Sequence, residues 1–252
     1  ATLNGHINVH SDSGSITLTS GSSNGSAVQI GHGGHHAGAT NQALTGDICI
    51  HAGTTVAINA QVGGGDNTFA MVGHGGTNVN GTKDGFVTVL SGMDAAGSGG
   101  GITVTGGDNT GEFAQIGHGG IGSNGDSSGS ISVVALDGGN VAVNGGTAVT
   151  NYALVGHGDG QGLTTGTRTG GLNAYAEGSI TMTDGTNGNA LMSHQTGSGI
   201  GSVSYAGAGI QGTGDQGYSL QAAGGNLTFS ASQIGGAAPV LTLGQTIGAA
   251  AA

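Results

Sequence analysis

Apolar residues in this chain fall at every second position over short runs and then stop. Runs of one type read Ile7-Asn8-Val9, Ile48-Cys49-Ile50, Val87-Thr88-Val89 and Ile131-Ser132-Val133. A second type reads Ile16-Thr17-Leu18-Thr19, Val56-Ala57-Ile58-Asn59, Ile102-Thr103-Val104-Thr105, Val141-Ala142-Val143-Asn144 and Ile180-Thr181-Met182-Thr183. Apolar side chains at i and i+2, with small polar residues between, turn one face inward and predict half-buried strands. Nothing recurs at helical spacing, so essentially no helix is expected. Dipeptides such as Asn24-Gly25, Asn80-Gly81, Asp84-Gly85 and Asp137-Gly138 separate the runs. These residue types tolerate positive φ and turn the chain sharply.

A third stretch organises the others. It reads Ala27-Val28-Gln29-Ile30-Gly31-His32-Gly33-Gly34 and Phe69-Ala70-Met71-Val72-Gly73-His74-Gly75-Gly76, and recurs as Phe113-Ala114-Gln115-Ile116-Gly117-His118-Gly119-Gly120 and Tyr152-Ala153-Leu154-Val155-Gly156-His157-Gly158. Ala190-Leu191-Met192-Ser193-His194 and Ser232-Gln233-Ile234-Gly235-Gly236 are worn copies. From mark to mark the spacings are 42, 44, 39, 37 and 42 residues. A period of this size means stacked supersecondary units, none stable alone. The constant register of each strand type favours stacking like on like, as the coils of a parallel β-helix. The spacing leans toward two coils of roughly 20 residues per repeat, with one wide coil per repeat as the alternative. At a strand separation of ~4.8 Å, histidines would lie roughly 9 to 10 Å apart in the first case and about 5 Å apart in the second. Residues 1–196 carry the regular repeats, and 197–252 are expected to form degenerate, irregular C-terminal coils.

Composition narrows the class. Sixty of 252 residues are Gly, one is Pro, and Leu, Ile, Val and Phe together number only 49. That is too little bulk for one large core but suits a narrow repetitive one, and the strict placement of the apolar residues argues against disorder. The net charge is −11, with Lys83 and Arg168 as the only cations. Nucleic acid and anionic membranes are poor partners for such a chain, and no run is long enough for a transmembrane helix. No leader-like segment opens the sequence, so a mature or internal piece of something longer is expected. Cys49 is the single cysteine and reads as a small strand residue, an intermolecular disulfide being its other use.

The histidines are the candidate chemistry. A row of His32, His74, His118 and His157 along one edge, with His35, His36 and His51 gathered near His32, would admit a divalent metal or haem. The competing reading places each ring in a tight turn, capping backbone groups or stacking on its neighbour, and no CxxCH, HxxxH helix pair or carboxylate-rich ligand set accompanies them. Gly63-Gly64-Gly65-Asp66-Asn67 and Gly106-Gly107-Asp108-Asn109 hint at calcium nonapeptides, but the spacing is wrong and ordinary turns are expected. The outward pairs Thr17/Thr19, Thr103/Thr105 and Thr181/Thr183 could line a flat ice- or sugar-binding face, although Thr is simply a good strand residue. Catalysis needs convergent groups. The Asp residues sit singly in turns and Glu112 and Glu177 are isolated, so no enzyme is expected.

The motifs Gly46-Asp47-Ile48-Cys49-Ile50 and Val141-Ala142-Val143-Asn144-Gly145-Gly146, with the four Gly-His-Gly copies, resemble the repeat shafts of filamentous-haemagglutinin-like exoproteins exported by two-partner secretion. The resemblance covers about residues 1–196; the Asn-Pro-Asn-type motifs of that family's secretion domain are missing. It implies a right-handed parallel β-helix shaft on a bacterial cell surface and identifies neither a tip nor its receptor. The expectation is a secreted structural rod, an adhesin shaft or filament subunit for attachment or biofilm matrix. Self-association is the expected partnership, with a cell surface or matrix polysaccharide as further partners. A metal- or haem-binding module using the histidine edge is the alternative.

Overall fold

The computed structural model describes residues 2–35, 42–60, 63, 65–94, 99–161, 164–194, 218–222 and 227–230. Among them there is no helix. The first coil runs through β1 (Thr2–Asn4), β2 (Ile7–Ser11), β3 (Ile16–Thr19), β4 (Ala27–Ile30) and β5 (Gly33–His35). The second repeats it as β6 (Ala43–Thr45), β7 (Ile48–Ala52), β8 (Thr55–Asn59), β9 (Phe69–Val72) and β10 (Gly75–Thr77). The third holds β11 (Lys83–Asp84), β12 (Val87–Ser91), β13 (Gly101–Thr105) and β14 (Phe113–Ile116). The fourth holds β15 (Ser127–Ser128), β16 (Ile131–Ala135), β17 (Asn140–Asn144) and β18 (Tyr152–Val155). The fifth holds β19 (Arg168–Thr169), β20 (Leu172–Ala176), β21 (Ile180–Thr183) and β22 (Asn189–Met192), and β23 (Tyr218–Ala222) and β24 (Leu227–Ser230) follow.

Equivalent strands pair in parallel, giving five sheets that we name A to E in the order each coil visits them. Partners across the ladders lie 37 to 47 residues apart, as in Tyr152 with Asn189 and Ile180 with Leu227. One coil therefore consumes one whole repeat. This corrects the expectation of two coils per repeat. The three run types do not share faces; they are the successive sheets B, C and D of a single wide coil. Two further stations, the short strands of sheets A and E, complete it. The strands β23 and β24, which lie in the expected degenerate region, extend sheets B and C beside β20 and β21. The worn Ser232–Gly236 copy falls outside the described residues.

Sheets B and C turn alternate residues inward, so Ile48, Ile50, Val56, Ile58, Val87, Val89, Ile102 and Val104 meet in one core. Sheet D behaves differently because both of its faces are covered. Ala70, Val72, Ala114 and Ile116 join that first core, whereas Phe69, Met71, Phe113, Tyr152, Leu154 and Leu191 form a second on the opposite side. This is why Phe-Ala-Met-Val lacks the polar alternation of the other runs: a strand buried on both faces needs apolar residues throughout. Phe69 stacks on Phe113 at 4.9 Å between ring centroids, and Phe113 on Tyr152 at 5.0 Å. These separations match the spacing of neighbouring strands, ~4.8 Å, so the rings form a column along the axis.

Candidate functional site

The Gly-His-Gly corner sits where each coil leaves sheet D. The flanking glycines allow it: a Cβ on Gly73 would collide with the Gly117 carbonyl, and one on Gly75 with the Gly119 carbonyl. Successive corners thus touch backbone to backbone. His32, His74, His118, His157 and His194 come into one column, with ring centroids 4.9, 4.8, 4.9 and 4.6 Å apart and planes within 9° of parallel. Such separations suit only the wide coil.

Each ring from His74 onward spends both nitrogens on backbone. The His32 N–H donates to Nδ1 of His74 at 3.0 Å, that of His74 to His118 at 2.9 Å, that of His118 to His157 at 3.0 Å and that of His157 to His194 at 3.1 Å. A backbone N–H can only donate, so Nδ1 is bare and Nε2 carries the proton. That proton goes to a glycine carbonyl at the corner between sheets A and B of the same coil: Gly46 for His74 at 2.7 Å, Gly85 for His118 at 2.9 Å, Gly129 for His157 at 2.7 Å and Gly170 for His194 at 2.9 Å. His32 makes the same bond to Gly5 at 3.1 Å. Every ring therefore closes its own coil through Nε2, and from His74 onward each ties that coil to the one before through Nδ1.

Burial keeps these rings neutral. Desolvation pushes His74 down to about 4, partly opposed by the Gly46 carbonyl, and His118 down to about 3, with His74 adding to the effect. His157 and His194 are lowered for the same leading reason. A proton on Nδ1 would also confront a backbone N–H. Metal coordination would need a free lone pair, and in His74, His118, His157 and His194 the one available is already accepting.

The other candidates are dispersed. His35 lies on β5 with an exposed side chain, and His36 falls outside the described residues. His51 is not gathered near His32; it points outward from β7 and meets His10 edge-on at 5.9 Å, because odd and even positions of a strand face opposite ways. Cys49 shares that outer face, half-buried between Asn8 and Thr88. Among the described residues no group of three or more His, Cys, Asp or Glu is arranged to hold a metal. The Thr pairs align outward on sheet C in register with Ala57, Asn59, Ala142 and Asn144.

Most of the carboxylates with described bonds are committed to turns. Asp108 accepts the Gly63 N–H at 2.7 Å, Asp47 that of Phe86 at 2.9 Å, Asp137 that of Gly99 at 2.6 Å and Glu177 that of Gly138 at 3.0 Å, each across neighbouring coils. Asp126 takes both the N–H and the hydroxyl of Thr167 at 2.8 Å, and those bonds lower its pKa. Glu112, wholly buried, caps the N–H groups of Asp108 and Asn109 at 2.7 and 2.8 Å. Glutamines serve likewise: Gln29 donates to the Gly73 carbonyl at 2.8 Å and Gln115 to that of Gly156 at 3.0 Å, each one coil further on. These uses of Gln, Glu and Asp were not visible as function in the sequence, although the place of Asp in the Gly-containing turns was. Compared with known protein families, curated proteins and solved structures, the chain matches none.

Proposed function

We propose that this protein is a structural element, a β-helix rod serving as an adhesin shaft or filament subunit outside a bacterial cell. The observation that carries the reading is the fate of the polar side chains. The histidine ladder, the amides of Gln29 and Gln115 and the turn carboxylates are spent on holding coil to coil. In a protein selected for chemistry, groups of these types would converge on a common point with free donors or lone pairs. Here the histidines run as a column parallel to the axis and the others bridge neighbouring coils, as a stiff stack requires. The resemblance of its repeats to filamentous-haemagglutinin-like shafts supports an exported, surface-attached setting.

Imaging of native material by cryo-electron microscopy tests the proposal. Extended rods or fibres with layers repeating every ~4.8 Å along their length are expected. Discrete soluble particles, together with glycan cleavage abolished by a single Asp substitution, would overturn it. Metal analysis separates the rival: wild type and His118→Ala should carry the same trace metal content, whereas stoichiometric metal lost in the variant would favour a binding module.

A further inference from the structure

The first coil is covered from one side only. Among the described residues β1, β2, β3, β4 and β5 are each the outermost strand of their sheet, so this coil presents five open edges. Its inward residues Ile7, Val9, Ile16, Val28 and Ile30 stay half-buried, whereas their register partners in the second coil are fully enclosed in the core. The histidine column is unfinished at the same face. Nε2 of His32 donates to the Gly5 carbonyl, which leaves its Nδ1 a bare acceptor. In His74, His118, His157 and His194 that atom receives a backbone N–H from the coil before; in His32, among the described residues, it receives none.

The opposite face ends in the same register. The column of inward positions that opens with Ile7 closes with Tyr218, and the one that opens with Ile16 closes with Leu227. β23 and β24 are the outer strands of sheets B and C there. Two first coils set face to face would oppose one His32 acceptor to the other, so the complement is the far face of another copy. Such a head-to-tail contact does not close on itself and builds a filament. Charge favours ends over flanks. Residues 47–184 carry eleven of the thirteen carboxylates and both cations, whereas 1–46 and 185–252 carry one carboxylate each. Flanks of two copies therefore repel more strongly than their ends. Five coils and the two strands beyond them rise only roughly 25–30 Å, so a long rod needs more coils than one chain supplies.

We propose that the open face of the first coil docks the far end of a second copy of this chain, with β2 beside β23 of its neighbour and β3 beside β24. The inference rests on the structural role argued above and names its partner. The coil-to-coil contact that already repeats within the chain continues across the junction: the half-buried apolar residues gain their missing cover, and His32 Nδ1 gains the backbone N–H that the later rings receive. A further coil joined ahead of residue 1 would compete for the same edges, so the chain of 252 residues is tested as it stands.

Sedimentation velocity over a wide concentration range should show mass growing in whole-chain steps. Cryo-electron microscopy of the wild-type fibres should show the ~4.8 Å layers running unbroken from β23 of one copy to β2 of the next. Asn8→Pro is the blocking variant. The Ile7 N–H bonds toward the second coil, at Asp47, so that of Asn8 points off the open edge, where proline removes no bond of its own coil. Thr17→Pro does the same on β3, since the Ser20 N–H bonds to Asn59. Each variant should stay monomeric alone and, mixed with wild type, shorten its fibres by capping one end. Layers broken at the junction, or fibres that a folded variant leaves undiminished, would overturn the docking face; should neither variant fold, the wild-type map decides. A wild type that is monomeric at every concentration yet keeps its β-sheet circular dichroism would overturn the docking face and leave the shaft reading standing, whereas one without stacked layers would overturn both.

Discussion

A neutral imidazole offers one donor and one acceptor, and at this corner the backbone presents one of each with no strand partner. Removing the ring at His118 strands the His74 N–H and the Gly85 carbonyl together. Each buried orphan costs about 1–3 kcal/mol, so His118→Ala should lose roughly 2–6 kcal/mol in urea unfolding. His118→Gln, whose amide also pairs a donor with an acceptor, should recover part of that loss, whereas the same change at exposed His6 should have little effect. Acid should act on the same bonds. The unfolded chain protonates its histidines near 6.5, but His74 and His118 resist until about 4 and about 3. Across that window the unfolded state binds more protons, so stability rises with pH and is lost as pH falls from about 6.5 toward 3. Denaturation midpoints that stay level from pH 7 down to 4 would count against the neutral ladder.

Within single elements the positions of sheet A show how a column is adjusted. Leu44 occupies the register position of Lys83, so this corner accepts an apolar residue. Lys83 has its ordinary pKa of 10.5 when unfolded and about 7 when folded. Between those values the unfolded chain holds the extra proton, and stability should climb with pH. Lys83→Met should flatten that climb between pH 7 and 9.5, as read from urea midpoints. Sheets B and C were legible in the sequence because Ile7-Asn8-Val9 and its kin alternate cleanly. Sheet D was legible as a strand, but its second buried face was not, since nothing local says what covers Phe69 or Phe113. Sheet A was missed because Lys83-Asp84 and Arg168-Thr169 are two residues long and carry charges, a poor advertisement for a buried strand. The histidine row was readable as a row. Whether its rings stood one or two coils apart depended on coil width, and alternation alone cannot set that. His194 looked worn because Ser193 replaces the usual glycine, yet its ring keeps both ladder bonds.

The width of the coil decides what the whole molecule can do mechanically. A repeat of some 40 residues that advances one strand spacing lengthens the stack by only ~4.8 Å, half of what two narrow coils would achieve. Such a chain trades length for cross-section, and the bending stiffness of a rod climbs steeply with its thickness. Sheet D buried on both faces is the structural form of that trade: a second core widens the section on the side of sheet E, and the histidine rings tie the corner between sheets A and B to the rest. Because each coil touches only its neighbours, damage should spread along the axis and not across it. Gly117 is the place to show this, since its missing side chain lets the corner of the third coil approach that of the fourth. Gly117→Val should separate the stack at that level. Hydrogen exchange should then report lost protection at His118, Gly156 and His157, whose N–H groups bond across or just above this junction. The amides of Ile7 and Gly46, at the far end, should keep most of theirs. Uniform loss over all coils would instead mean that the stack unfolds as a single cooperative unit, and the load would then be carried by the whole section at once.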